Sequence, residues 1–126
     1  MIDHLAVQCD DLERSAEFYD AVLAALGARR VIDRGDVIGY GTEFPDLWIG
    51  RHLTGDRQRE VHIAVTAPSR AAVDAFHAIA VSRGAESLHA PRLWPEYHPG
   101  YYGAFVRDPD GNNVEAVHHT WGSSTG

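Results

Sequence analysis

The sequence contains only one cysteine, no cluster of basic residues and no long apolar run. Cys9 has no second cysteine to pair with, which favours a reducing cytoplasm. The 18 acidic residues outnumber the 11 basic ones, and the net charge of -7 disfavours nucleic acid and anionic membranes as partners. No apolar run approaches the ~20 residues of a membrane span. The first residues have a strand pattern rather than that of a signal peptide. We therefore expect a cytoplasmic protein whose partners are neither nucleic acid nor membrane.

One structural pattern occurs twice along the 126 residues. Strand-like segments at 2–9 and 61–65 are each followed by an amphipathic helical segment that ends at a glycine, Gly27 or Gly84. Three β-prone segments follow each helix, at 28–33, 37–41 and 47–51 in the first half, and at 86–89 and in a hairpin over 101–118 in the second. Asp10, with Glu13 three residues later, is the predicted N-cap of the first helix. The repeat predicts a single α+β domain of two βαβββ modules, about 1–55 and 59–119, with a linker over 54–60 and a flexible tail over 120–126.

Alternation along the strands predicts what faces the space between the modules. Helices cover one face of each sheet, and we expect the other faces to curve around a shared cleft as a barrel-like mixed sheet. His4, His62 and Glu115 then face the cleft, because the apolar residues that alternate with them face the helices. Those apolar residues are Leu5, Val7, Ile63, Val65, Val114 and Ala116.

Two imidazoles and one carboxylate from three strands form a plausible ligand set for a divalent metal. His4, His62 and Glu115 suit zinc, nickel, manganese or iron, and three protein ligands leave coordination positions open for water or substrate. No short motif such as HExxH supports the metal independently. The alternative is structural: two hydrogen-bonded histidines, and an acid paired with Arg92 or Arg107.

The segment 93–102 has more aromatic residues than a connection requires. It predicts a lid over the cleft, with His98 and one of Tyr101 or Tyr102 as acid/base or substrate-binding groups. We assign proton transfer to His98 and Tyr102. The predicted substrate-binding residues are Trp48, Trp94, Tyr97 and Tyr101. The alternative is that the loop packs on itself and that Trp48 belongs to the core.

The sequence resembles the vicinal oxygen chelate superfamily, which includes glyoxalase I, fosfomycin-resistance proteins, extradiol dioxygenases and bleomycin-binding proteins. The resemblance rests on the paired modules, the histidines of Ile2-Asp3-His4-Leu5-Ala6-Val7 and Val61-His62-Ile63-Ala64-Val65, and the closing Asp108-Pro109-Asp110-Gly111-Asn112-Asn113-Val114-Glu115. It implies that His4, His62 and Glu115 are metal ligands. Trp48 is closest to the fourth ligand position of the family, and tryptophan cannot bind a metal. The resemblance therefore implies either a three-ligand site or a metal-free pocket.

The function that the resemblance implies is that of a glyoxalase-like, metal-dependent lyase or isomerase. Such an enzyme chelates two neighbouring oxygens of a small metabolite on a divalent metal. One alternative is a metal-free binding or resistance protein of the bleomycin-binding type, and another is a non-haem iron(II) dioxygenase. We expect a homodimer, in which the modules pair within one chain or across two, so that His4 either completes its own site or that of its partner.

Overall fold

The computed structural model describes residues 1–51 and 59–121. The described chain forms eight strands and two helices: β1 (Leu5–Cys9), α1 (Leu12–Ala24), β2 (Arg29–Asp33), β3 (Val37–Gly41), β4 (Leu47–Arg51), β5 (His62–Thr66), α2 (Arg70–Ser82), β6 (Ser87–Leu93), β7 (Tyr101–Arg107) and β8 (Asn113–His119). Most of the predicted linker (54–58) and of the predicted tail (122–126) lies outside the described residues. No helix in the described part of the chain is long and apolar enough to cross a membrane.

The strands form two mixed four-stranded sheets with the same topology. Their orders are β1-β4-β3-β2 and β5-β8-β7-β6. In each sheet the first and last strands of the module pair in parallel, and the remaining neighbours are antiparallel. The predicted two-module α+β architecture is confirmed. The two sheets remain separate and are not closed into a barrel.

Side-chain caps start both helices. Ser69 accepts a hydrogen bond from the backbone N–H of Ala72 at the start of α2. Asp11 accepts one from the backbone N–H of Arg14 at the start of α1, so the predicted cap at Asp10 is wrong by one residue. The physical reason is that the backbone N–H of Asp10 donates to Asp110 Oδ1 at 2.9 Å, which holds Asp10 in the turn before the helix.

The two modules share one hydrophobic core. Both helices pack against each other, and the core contains residues from both sheets. Tyr19 of α1 and Phe76 of α2 are among its fully buried side chains. The Tyr19 hydroxyl donates to Asp108 Oδ2 in the β7–β8 loop at 2.6 Å, and Ser15 Oγ donates to Asp110 Oδ2 at 3.2 Å. These bonds fix the first helix to the second module.

Candidate functional site

A pocket of about 590 Å³ opens on the face of the second sheet that the helices leave uncovered. Strands β5 to β8 and the loop between β6 and β7 supply its walls. The lining residues are His62, His89, Trp94, Tyr97, Tyr101, Phe105, Asn113 and Glu115.

Strand alternation directs Glu115 into this pocket. Its neighbours Val114 and Ala116 are fully buried in the core beneath α2, so the side chain between them projects from the opposite face. Glu115 pairs with Phe105 across β7, and Phe105 pairs with His89 across β6. One row of side chains therefore crosses three strands and forms the pocket floor.

The Glu115 carboxylate is buried and has one partner on each oxygen. Glu115 is only 1% exposed. His62 Nε2 lies 2.9 Å from Oε1, and the Tyr101 hydroxyl donates to Oε2. These contacts offset the cost of burying a carboxylate. The structural alternative of an arginine partner is wrong, since Arg92 pairs with Glu96 and Arg107 pairs with Glu60.

Gly103 leaves the space that the carboxylate occupies. A Cβ at this position would lie 3.2 Å from Glu115 Oε2 and 3.2 Å from Tyr101 Cε1. The carbonyl oxygen of Gly103 accepts a hydrogen bond from the indole Nε1 of Trp94 at 3.0 Å. Gly103 therefore lies beside both the Glu115 carboxylate and the Trp94 indole.

Tyr101 is held in its neutral form. Burial, followed by the hydrogen bond to Glu115 and the charge of that carboxylate, raises the pKa of Tyr101 well above its ordinary value. The phenol is thus a hydrogen-bond donor to Glu115 throughout the neutral pH range.

We expect Tyr101→Phe to remove a phenol whose pKa is higher than that of an ordinary tyrosine. A raised pKa in the folded state stabilises the fold below pH about 10, and that contribution is lost as the pH rises further. The difference between the alkaline tyrosinate absorbance curves of wild type and Tyr101→Phe isolates this phenol. Glu115→Gln should lower the pKa of Tyr101, because it removes the negative charge. A difference curve centred at the ordinary tyrosine pKa would contradict the contact.

Aromatic side chains form one wall of the pocket, beside the polar centre made by His62, Glu115 and Tyr101. Trp94 is buried and stacks on Tyr97 with ring centroids 5.8 Å apart. The Arg92 guanidinium lies 3.4 Å from the centroid of the Trp94 ring and makes a cation–π contact with it. On the floor, the imidazole of His62 stacks on Phe105 at 6.0 Å. A flat or apolar ligand can pack against these rings while its polar end meets Glu115.

Asn113 adds an unpaired acceptor to the pocket. Its Oδ1 atom is buried and, within the described chain, has no hydrogen-bond partner. Asn113 pairs with His62 across β5 and β8, next to the Glu115 carboxylate. Buried polar atoms are rarely left without a partner. A buried water can supply the missing donor.

His4 lies apart from His62 and Glu115 in the single chain. It precedes β1, its side chain is 58% exposed, and its Nδ1 contacts Asp3 Oδ1 at 2.7 Å. Leu5, predicted to face the helix, opens β1 and is 44% exposed. Among residues 1–51 and 59–121, no three His, Cys, Asp or Glu side chains are close enough to hold one metal ion. One chain therefore supplies two neighbouring donors, His62 and Glu115.

Two of the predicted lid residues lie outside the pocket. Tyr102 points to the helix side of the sheet, where its hydroxyl donates to Asp74 of α2 at 2.6 Å. His98 lies behind Tyr101, with Nε2 2.9 Å from His119 Nδ1 and its ring stacked on Trp121. Trp94, Tyr97 and Tyr101 line the pocket. The structure thus brings three of these five residues to one site.

Trp48 takes the position in the first sheet that Glu115 has in the second. Ala6 pairs with Trp48, and its repeat counterpart Ala64 pairs with Glu115. Trp48 is half-buried and its ring lies 6.0 Å from the Arg34 guanidinium. It is not part of the helix-covered core. The first sheet therefore offers an aromatic surface where the second offers a carboxylate.

Sequence reasoning missed His89, Phe105 and Asn113. The signal for Phe105 and His89 was cross-strand pairing: side chains opposite Glu115 on neighbouring strands share its face. Asn113 is predicted only as part of the second strand of the hairpin. Its role depends on burial, which no sequence pattern shows.

These observations define the class of protein: a two-module α+β domain with a pocket built around a histidine–glutamate pair. The chain belongs to the glyoxalase/bleomycin resistance protein/dioxygenase superfamily, whose family model matches residues 1–116. The predicted resemblance is confirmed. No curated protein matches the chain.

Solved structures support the same family. A glyoxalase/bleomycin resistance protein from Albidiferax ferrireducens T118 is 29% identical, with a TM-score of 0.82 over 93% of this chain and 98% of that one. A lactoylglutathione lyase from Agrobacterium tumefaciens is 23% identical, with a TM-score of 0.66 over 94% and 92% of the two chains. A glyoxalase-related enzyme from Fulvimarina pelagi is 21% identical, with a TM-score of 0.73 over 94% and 88%. The last two likenesses show the fold alone.

Proposed function

We propose that this protein is a glyoxalase-like, metal-dependent enzyme that acts on a small oxygen-rich metabolite by lyase or isomerase chemistry. The observation that carries the proposal is the contact between His62 Nε2 and Glu115 Oε1 inside a pocket. Superfamily membership supports it, because these proteins generally bind a divalent metal and act on small molecules.

His62 and Glu115 fit a divalent metal. Imidazole nitrogen and carboxylate oxygen suit zinc, nickel, manganese and iron. Their separation of 2.9 Å suits either a direct hydrogen bond or two neighbouring ligands of one ion. When bound, the metal would polarise substrate oxygens and stabilise the negative charge that develops on them. Tyr101 orients the Glu115 carboxylate by donating to its other oxygen.

The other pocket residues bind and orient the substrate. Trp94 and Tyr97 would cover its apolar part and exclude water from the polar centre. Asn113 would line the polar side of the pocket, next to His62. His98 is proposed as a proton-transfer group that acts only after the loop has moved, because it lies behind Tyr101 and does not line the pocket.

We further propose that a second copy of the chain supplies His4 to this site. His4 and the apolar residues around it are exposed in the single chain: Met1 is 121%, Ile2 75% and Leu5 44% exposed. Burying these side chains against another copy is favourable. The open face of the second sheet, where His62 and Glu115 lie, is the surface that lacks a third donor.

We therefore expect the protein to elute with a mass of two chains, twice 13.9 kDa. Light scattering coupled to gel filtration measures this mass directly. Ile2→Asp and Leu5→Asp together should shift the mass to that of one chain, since both charges would be buried without partners. Val81→Asp, at an exposed apolar residue of α2 away from the pocket, is the matched control and should leave the mass unchanged. A wild-type mass of one chain would contradict the shared site.

A second candidate function has a specific observation in its favour. Trp48 stands closest to the fourth metal-ligand position of the family, and its position in the first sheet matches that of Glu115 in the second. The aromatic side chains of Trp94, Tyr97 and Phe105 can hold a flat molecule without a metal. The alternative is therefore a metal-free protein that binds a hydrophobic small molecule, as bleomycin-binding proteins do.

Metal analysis separates the two functions. Protein purified without added metal should contain about one divalent ion per chain and should melt at higher temperature as zinc, nickel, manganese or ferrous iron is titrated. Protein without metal, whose melting temperature none of these ions raises, would favour the metal-free binding protein.

A further inference from the structure

A second cavity lies on the helix side of the molecule, where the two modules meet. Its volume is about 350 Å³. The first turns of α1, the turn after α2 and the β7–β8 loop form its walls. The pocket described above opens on the other face of the second sheet, and the two cavities have no lining residue in common.

Three arginine side chains from three different segments line this cavity: Arg14, Arg83 and Arg107. Arg107 is fixed, because its Nη1 donates to the Gly111 carbonyl at 2.6 Å and lies 3.2 Å from the Glu60 carboxylate. In the described chain, the guanidinium groups of Arg14 and Arg83 have no hydrogen bond or ion pair. Two cations without a hydrogen bond or ion pair among the described residues thus line one cavity in a protein whose net charge is -7.

Nearby carboxylates do not satisfy the two free guanidinium groups. Asp108 lines the cavity, but its oxygens already accept hydrogen bonds from Tyr19 and Asn112. Glu86 Oε1 lies 3.9 Å from Arg107 Nε, so this carboxylate pairs with Arg107 and not with Arg14 or Arg83. Glu17 also lines the cavity and has no partner among the described residues, so it opposes an anion there.

Arg83 has one longer-range partner outside the cavity. The hydrogen bonds from Arg30, and with smaller effects the hydroxyl of Tyr40 and the charge of Arg83, hold the pKa of Asp20 below its ordinary value. No hydrogen bond joins Arg83 to Asp20 in the described structure, because Arg30 and Tyr40 already occupy that carboxylate. The Arg83 guanidinium therefore keeps its donors for another acceptor.

We propose that this cavity is a second binding site, for a small metabolite that carries an oxyanion, either a phosphate or a carboxylate. The planar guanidinium group donates paired hydrogen bonds to both kinds of anion. Arg14 and Arg83 bind the anion. The buried ring of Phe18, which also lines the cavity, packs against the apolar part of the ligand. Because α1 belongs to the first module and the β7–β8 loop to the second, the bound anion joins the two modules.

Calorimetric titration with inorganic phosphate, phenyl phosphate and benzoate tests the site. We expect saturable binding of at least one probe, with phenyl phosphate or benzoate tighter than phosphate because of Phe18. Arg14→Gln and Arg83→Gln should each weaken binding about tenfold. The double variant should not saturate. Glu17→Gln should bind more tightly, since it removes the opposing charge.

Two control variants separate this site from the rest of the molecule. Arg29→Gln removes an arginine outside both pockets, and His62→Ala alters the His62–Glu115 pocket; both should bind the anion as wild type does. Circular dichroism verifies that the arginine variants are folded. Wild-type protein that saturates with none of the three probes, or a double variant that binds as wild type does, would overturn the proposal. Loss of binding in His62→Ala would also overturn it, because the anion would then occupy the other pocket.

Discussion

His62→Ala is expected to reduce the affinity for a divalent metal by at least about 100-fold. The side chain is one of two donors that the chain places together, and its Nε2 lies 2.9 Å from Glu115 Oε1. Removing it leaves Glu115 as a single carboxylate with the Tyr101 hydroxyl beside it. Elemental analysis of the purified protein, followed by calorimetric titration with zinc or nickel, measures the loss.

His77→Ala is the matched control for this prediction. His77 lies on α2, outside the pocket, and its imidazole contacts Ser87 Oγ at 2.7 Å. The His77→Ala variant should have the same metal content as wild type. Metal retained by His62→Ala at the wild-type stoichiometry would show that the ion is bound elsewhere. Equal loss in both variants would indicate that the effect is one of stability.

Mixed dimers test whether two chains share the site. His4→Ala and His62→Ala each lack one donor, so each homodimer should bind the metal weakly. If His4 acts in the site of its partner, a mixed dimer has one intact site. Random mixing makes about half of the dimers mixed, so combining the variants should restore metal to about a quarter of all sites. If the three donors belong to one chain, mixing should restore none.

Asp108→Ala is expected to lower the free energy of unfolding by about 3 kcal/mol, which corresponds to a fall in melting temperature of roughly 10 °C. The buried carboxylate accepts hydrogen bonds from the Tyr19 hydroxyl, the Asn112 side chain and the backbone N–H groups of Asp110 and Asn112, at 2.6, 2.8, 2.9 and 2.9 Å respectively. Alanine leaves these donors buried without an acceptor. The Tyr19 bond is also one of those that join the modules.

Asp33→Ala provides the comparison for an exposed acid. Asp33 contacts Arg30 and the backbone N–H of Gly35 at the surface, and the melting temperature of its variant should remain close to that of wild type. Thermal and urea unfolding of both variants measure the difference. An Asp108→Ala protein as stable as Asp33→Ala would contradict the role given to this network.

Much of the fold could be predicted because local pattern and tertiary structure agree. Alternation in β8 indicated that Val114 and Ala116 face the core, and both lie there. The duplicated pattern indicated two modules with the same strand order, which the sheet topology confirms. The register also places Trp48 opposite Ala6, as Glu115 is opposite Ala64, so the alignment of the two halves could be read from the sequence.

The parts that could not be predicted depend on long-range contacts. The predicted strand ends at residue 89, but β6 continues to Leu93 and includes Pro91. An edge strand with register irregularities tolerates a proline because one side of it forms no ladder. Tyr101 and Tyr102 are adjacent and both aromatic, and only strand pairing determines that Tyr101 meets Glu115 while Tyr102 meets Asp74.

The most direct test of the proposed function is anomalous diffraction from crystals grown with zinc or nickel. We expect one strong anomalous peak within coordination distance of His62 Nε2 and the Glu115 carboxylate, with His4 of a second copy as the third protein ligand. Crystals that show no anomalous peak between His62 and Glu115, with the hydrogen bond between them intact, would contradict the metal site and leave the pocket as a metal-free binding site.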